Sequence, residues 1–231
     1  MRTYLVIAAL FVVTVCYAIA VMAHIALFRD TEVFYRYARS WSRMLLRMAG
    51  IKLSVEGVEH LVPATRYVYA SNHASLFDIP VMIVGIPDNI RIMYKRELVK
   101  IPIFGWALSM SPYLAVDRAK SREAASVVEA TVNTMRKGSS VLVFPEGTRS
   151  EDGTMGAFKR GAVSLAVKSA TPIVPVTLVG TAAVLPARSR KLVGGSVRVI
   201  IHPPEDVGSV ESSLQEKALV ERLRATIADR L

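Results

Sequence analysis

Cysteine is nearly absent. The 231 residues hold one, Cys16, so no disulfide framework, thiolate zinc site or thiol nucleophile can be built in the body of the chain. Histidines number four and none sits in an HExxH pattern, so no metal centre is expected. His60 and His202 read as loop or strand-end residues. Also missing are the GxSxG turn of serine hydrolases, the GxxxxGK[ST] phosphate loop and a GxGxxG after a strand. Acid is scarce too: 19 Asp and Glu stand against 29 Lys and Arg, a formal charge of +10. Such a chain suits an anionic surface, either nucleic acid or a phospholipid membrane.

Apolar residues are plentiful, at 52%, and their placement favours the membrane. Thr3 to Phe28 is a run of 26 residues without formal charge, bracketed by Arg2 and Arg29. About 20 apolar residues cross a bilayer at roughly 1.5 Å per residue, so this segment is expected to span or re-enter it. Ala18, Ile19 and Ala20 imitate a signal-peptide cleavage site, but apolar sequence continues beyond them and only Arg2 precedes the run, which favours an anchor.

Next, Arg36, Arg39, Arg43 and Arg47 recur on one helical face, with Tyr37, Trp41, Met44, Leu45 and Met48 on the other sides. Asp30 or Thr31 can cap this helix and Gly50 can end it. A basic helix lying on anionic phospholipid is one reading; a helix packed on the protein with a solvated arginine face is the other. The positive excess after the anchor predicts a cytoplasmic body.

From Ile51 the pattern becomes short apolar runs separated by helical stretches. IKLSVEG, RYVYASN, IRIMYK, PYLAVDR, SVLVFPEG, PIVPVTLVG and SVRVIIHPP read as strands, several buried on both faces. Helices are expected over SREAASVVEATVNTMRKG, capped by Ser121 and ended by Gly138, and over Gly161 to Ser169. A last helix is expected to open with Ser213 and Glu216 as capping box and to bury Val220, Leu223, Ile227 and Leu231. The alternation predicts an α/β fold: a mostly parallel mixed sheet flanked by helices, preceded by a two-helix membrane-binding element.

Ligands in such sheets bind beyond the carboxyl ends of the strands. Four sets of residues are candidates there: Asn72 to Asp78, Asp117 with Arg118, Glu146 to Arg149, and the corner from Pro172 to Pro175. Five residues turn a regular helix through about 500°, which points His73 and Asp78 roughly 140° apart. They can meet only across a turn. Asp78 is then either the partner of a general base or simply an N-cap, with Ser75 as the alternative cap. Glu146, Gly147, Thr148 and Arg149 form a turn suited to a phosphate, though turns of this composition are also common without one. Lys159 and Arg160 precede a helix N-terminus that attracts anions, and Lys95, Arg96 and Arg118 add cations at strand ends.

Taken in order, NHASLFD, AVDR, FPEGTRS and TPIVPV resemble the four blocks of the glycerolipid acyltransferases, most closely the bacterial 1-acylglycerol-3-phosphate (lysophosphatidic acid) acyltransferases. The motifs cover Asn72 to Val176. The resemblance implies that residues 1–50 are a membrane anchor with a basic amphipathic helix and residues 51–231 an acyltransferase domain. It implies His73 as general base, Asp78 as its orienter, and Lys95, Arg118, Glu146, Gly147, Thr148, Arg149 and Lys159 around the acceptor's phosphate. Lysophosphatidic acid would be the acceptor, acyl-CoA or acyl carrier protein the donor, and an anionic bacterial cell membrane the platform, with no cofactor, metal or nucleic acid. One departure stands out. PYLAVDR carries Pro112 and Ala115 where the family has glycine and an aromatic residue, which keeps glycerol 3-phosphate, lyso-ornithine lipid and other lyso-lipids as alternative acceptors. A non-catalytic anionic-lipid-binding membrane protein is the reading from another class.

Overall fold

A computed structural model describes residues 2–116, 124–136, 138–150, 153–185 and 192–231. The chain opens with two helices, α1 (Arg2–Phe28) and α2 (Val33–Met48), and then alternates: β1 (Ile51–Glu56), β2 (Val68–Ser71), α3 (Asp78–Gly85), β3 (Ile90–Lys95), α4 (Phe104–Ser109), β4 (Leu114–Val116), α5 (Ala124–Arg136), β5 (Ser140–Val143), α6 (Gly161–Ser169), β6 (Ile173–Val179), α7 (Thr181–Val184), β7 (Gly195–Ile201) and α8 (Ser213–Ala228). The seven expected strands form one sheet in the order β1-β7-β6-β2-β5-β3-β4. All pairs are parallel except β6 with β7.

Both faces of the sheet are covered, which is why its central strands read as continuous apolar runs. Along β2 and the residue before it, Tyr67 and Tyr69 join the core shared with α1, α2 and α3, while Val68 and Ala70 join the one shared with α5, α6 and α8. Tyr69 donates to Asp88 Oδ2 at 2.6 Å; burial, then the carboxylate, pushes its phenol up. The phenol therefore stays a donor.

The two N-terminal helices form an antiparallel hairpin. Ala18, Val21 and Ile25 of α1 are buried, whereas Tyr4, Leu5, Phe11, Val12, Ile19, Leu27 and Phe28 are exposed. Among the described residues, α1 is the one helix long and apolar enough to cross a membrane. Its polar groups turn toward α2: Trp41 Nε1 donates to Thr14 Oγ1 at 3.1 Å, Tyr17 Oη meets Ser40 Oγ at 2.8 Å, and Tyr37 Oη lies 3.4 Å from His24 Nδ1. A polar group on an apolar helix is costly unless bonded, so these rungs set the pairing of the hairpin.

The second helix combines both readings of its sequence. Val33, Phe34, Ala38, Leu45 and Leu46 are buried in the domain core, on the order of 2 kcal/mol for each large side chain. Arg36, Arg43 and Arg47 are exposed. Arg39 departs from the stripe: it donates to Tyr35 Oη at 3.0 Å, Val84 O at 3.3 Å and Ile86 O at 3.5 Å. It thus caps the carbonyl end of α3, where a cation opposes the helix dipole. Tyr35 Oη donates to Asp88 O, and Glu32 pairs with buried Arg91.

Some expected helix ends move by a residue. Asp30 Oδ1 accepts from Glu32 N at 2.9 Å ahead of α2, and Gly50, at φ +68°, ends the helix as expected. The α8 capping box is Ser212 with Gln215, not Ser213 with Glu216. Serine occupies both positions, and only the backbone entry angle selects between them. Leu219, Val220, Leu223 and Ile227 form the α8 stripe, while Leu231 is exposed past the helix end. Gly138 takes a left-handed φ of +101° beyond α5. Ser121 lies outside the described residues.

Candidate active site

His73 and Glu146 leave the sheet side by side, because β2 and β5 are parallel neighbours with Ala70 opposite Val143. Asn72 extends β2 by one step of mimicry. Its side chain donates to Leu178 O at 2.9 Å and accepts from Leu178 N at 2.8 Å, acting as a further strand residue against β6. The chain turns sharply after this clamp.

That turn brings Asp78 back to His73. His73 Nδ1 lies 2.7 Å from Asp78 Oδ2, which also accepts from Ala74 N at 2.7 Å and Ser75 N at 2.8 Å. Asp78 is fully buried and the His73 side chain is 12% exposed. An oxygen that already accepts two amide protons acts as a carboxylate acceptor, so Nδ1 carries the ring proton and Nε2 keeps its lone pair. Asp78 Oδ1 is buried without a partner among the described residues, so every hydrogen bond falls on the oxygen facing the imidazole. The expected capping roles are corrected here: the N-cap of α3 is Phe77, Asp78 is its first residue, and Ser75 Oγ accepts from Phe77 N at 3.3 Å. Asp78 organises the turn before the helix, since the α-helical φ of Phe77 carries the Asp78 side chain backward.

The ring plane is set from the other side. Phe144 stacks on His73 with centroids 4.0 Å apart and planes 16° apart. Glu146 Oε1 accepts from His73 N at 2.7 Å, its Oε2 accepts from Gly156 N at 2.8 Å, and Ser150 N donates to His73 O at 2.9 Å. The turn from Glu146 to Ser150 thereby holds the backbone of His73 at both its N–H and its C=O. Glu146 is buried, and its carboxylate is spent on backbone amides. It braces two turns rather than presenting itself to a ligand.

Cations and donors gather on the outer side of this turn. Gly147 has φ +75°, and a Cβ there would lie 2.9 Å from Lys159 Nζ, so glycine both permits the left-handed turn and leaves room for the lysine. Lys159 N donates to Pro145 O at 2.9 Å. Thr148, Arg149 and Lys159 are exposed. Hydroxyl, guanidinium and ammonium beside a base suit a phosphorylated acceptor.

Not every expected residue joins them. Lys95 ends β3, two strands from β2 and so about 10 Å across the sheet; it is exposed and pairs with Glu97 Oε1 at 3.3 Å. Arg160 turns to α8, donating to Ser213 Oγ at 2.8 Å. Asp117 and Arg118 lie outside the described residues. The Pro172 to Pro175 corner lies below the level of His73: β6 starts at Ile173 opposite Val68, and Pro175 pairs with Ala70, three residues before His73. Its prolines sit where β6 begins, before the antiparallel ladder to β7 starts at Val176, a position where a missing N–H is tolerated. Phe144 and Gly156 are site-shaping residues that the sequence reading did not assign, and Asn72, which opens one of the candidate sets, serves as a clamp on β6. The pairing of β2 with β5 brings Phe144 to the ring, since the register places that residue two positions before the level of His73.

The Acyltransferase family model matches residues 52–179. A chloroplast protein of Brassica napus named 1-acyl-sn-glycerol-3-phosphate acyltransferase BAT2 is 36% identical over 181 residues, 74% of this chain and 52% of its own length. The chain thus spans about half of that relative. The protein of that enzyme name from Borreliella burgdorferi is 31% identical over 84% of this chain and 77% of its own. In three dimensions the chain is similar to the crystal structure of the 1-acyl-sn-glycerophosphate acyltransferase PlsC of Thermotoga maritima, with TM-score 0.82, 26% identity, and coverage of 98% of this chain and 91% of that one.

Proposed function

The chain belongs to the Acyltransferase family, and from that premise we propose that it moves an acyl group from a thioester to the sn-2 hydroxyl of 1-acylglycerol 3-phosphate, giving phosphatidic acid. The observation that carries this reading is the 2.7 Å contact of His73 Nδ1 with buried Asp78, which leaves Nε2 as a base at the strand edge beside Arg149 and Lys159. Nε2 takes the proton of the acceptor hydroxyl as its oxygen attacks the thioester carbonyl. The C–S bond then breaks, the sulfur leaves with the proton held by His73, and the ester is released. Transfer is direct, without an acyl-enzyme. Asp78 stabilises the transient imidazolium through the oxygen that faces it. Gly147, Thr148, Arg149 and Lys159 hold the acceptor phosphate, with Lys95 and Arg118 at its periphery, while Glu146 fixes the turn that carries them.

Residues 1–50 hold residues 51–231 at the cytoplasmic face of a bacterial membrane, where lyso-lipid and product reside. The donor is acyl-CoA or acyl carrier protein. The test is purified full-length chain in detergent, offered each donor with lysophosphatidic acid, glycerol 3-phosphate and lyso-ornithine lipid. Turnover is expected with lysophosphatidic acid and is expected to fall at least a hundredfold in His73→Ala. Preference for another acceptor would overturn the substrate assignment, and normal turnover by His73→Ala would overturn the mechanism.

A further inference from the structure

A cleft of about 320 Å³ opens between α1 and α2, lined by Tyr17, His24, Val33, Arg36, Tyr37 and Ser40. None of these belongs to the segments around His73 or Glu146. On α2, Arg36, Ser40, Arg43 and Arg47 follow one another at steps of four, three and four, so they share a face, and the Tyr17 contact brings that face to the edge of α1. Arg36 is exposed with no acidic partner among the described residues. Only one hydroxyl of the Tyr17–Ser40 pair can donate to the other, which leaves the second proton for a ligand. His24 directs Nδ1 to Tyr37 Oη, and its Nε2 is not engaged among the described residues. A fork of guanidinium donors, a hydroxyl and, in the tautomer whose Nδ1 accepts from Tyr37, an imidazole Nε2–H form a donor set for a phosphodiester. A histidine and a tyrosine within an otherwise apolar membrane helix mark a site of polar function.

We propose that this cleft binds the phosphodiester headgroup of an anionic bilayer phospholipid, at a site separate from the candidate catalytic centre. Charge complementarity selects the occupant: Arg36 in the cleft wall favours a headgroup of net negative charge, and the exposed apolar residues of α1 lie alongside for its acyl chains. The site differs from the diffuse attraction of a basic helix to an anionic surface, because position on the helix matters and not charge alone. The inference uses only the membrane association of α1 and does not depend on the chemistry at His73.

The test titrates short-chain phosphatidylglycerol, with phosphatidylcholine of the same chain length and inorganic phosphate as parallel arms, into the full chain in uncharged detergent. Arg36→Ala is expected to weaken phosphatidylglycerol binding about tenfold or more, as loss of a forked charge-assisted contact does. Tyr17→Phe is expected to weaken it by a smaller factor, while Arg47→Ala, which removes the same charge two turns or more away, changes it less than about threefold. Arg149→Ala, altered at the catalytic turn, is expected to bind normally. Turnover of Arg36→Ala in uncharged detergent, with the lysophosphatidic acid acceptor as the one anionic lipid added, is expected to match the unaltered chain. Equal losses from Arg36→Ala and Arg47→Ala, equal binding of phosphatidylcholine, equal binding of inorganic phosphate, or loss of binding in Arg149→Ala would each overturn the proposal.

Discussion

Two histidines in this chain are held by neighbours that assign opposite tasks to them. His73 donates from Nδ1 to Asp78, so its Nε2 is left to accept a proton. Replacing Asp78 with Asn puts an amide where three N–H groups converge, which removes the charge opposite the imidazolium and invites the wrong tautomer. Asp78→Asn is expected to lower kcat about a hundredfold or more with KM for the acceptor little changed, measured by steady-state acyl transfer in detergent. His202 instead serves stability. Thr177 Oγ1 donates to Ile227 O at 3.2 Å and lies 2.9 Å from His202 Nε2, so Nε2 must carry the proton of a neutral ring. Burial first, then Arg230 and His60, lowers its pKa below the usual 6.5. A histidine depressed in the folded state binds its proton more readily when unfolded, so its contribution is complete above about pH 6.5 and is lost as pH falls through the lower folded value. Melting temperature is expected to drop between pH 7.5 and pH 5.5, and the slope is expected to shrink in His202→Gln.

At the scale of elements, Arg39 shows how one side chain joins two parts of the chain with different surroundings. It leaves the arginine face of α2 to bond the carbonyl end of α3, the helix whose other end carries Asp78. Arg39→Ala strips α3 of its cationic cap and is expected to destabilise the fold by about 2 kcal/mol. Arg43→Ala, on the exposed face, is expected to stay within about 0.5 kcal/mol. A denaturation midpoint in detergent checks both. The same departure explains what a helical wheel could read. Spacing by three and four placed all four arginines together, and three of them do face outward. The fourth sits near the edge of the stripe, and only the position of α3 decides that its guanidinium finds carbonyls instead of solvent or phosphate.

Across the whole molecule, residues on both sides of the expected boundary at residue 50 fold into one core. Val33, Phe34, Leu45 and Leu46 share a core with Val81, Ile83, Val197 and Val199, and Glu32 meets buried Arg91. A chain beginning at Ile51 would expose that core, whereas one beginning at Asp30 would lose the three buried α1 residues, Ala18, Val21 and Ile25, and the rungs of the hairpin but keep the larger share from α2. The shorter chain is expected to aggregate and the longer to remain monodisperse in mild detergent, as size-exclusion chromatography would report. Fixed docking also means that the hairpin holds the strand edge bearing His73 at a set position relative to α1.

The local pattern determined a large part of this protein. Seven strands, the α/β class and the apolar first helix follow from period and length, which act over a few residues, whereas turn chemistry left Asp78 open between a partner for His73 and a helix cap. The meeting of distant segments could not be read that way. Glu146 looks like a phosphate-turn carboxylate in isolation, yet the adjacency of β2 and β5 delivers the amide of His73 to it and makes it a brace. The Pro172 to Pro175 corner looks like a site because it borders an apolar run, yet the parallel register of β6 with β2 leaves it opposite Val68 to Ala70, below the level of His73. Sequence fixes which residues have the chemistry; strand order and direction, set by burial on both faces of the sheet, decide which of them share a place.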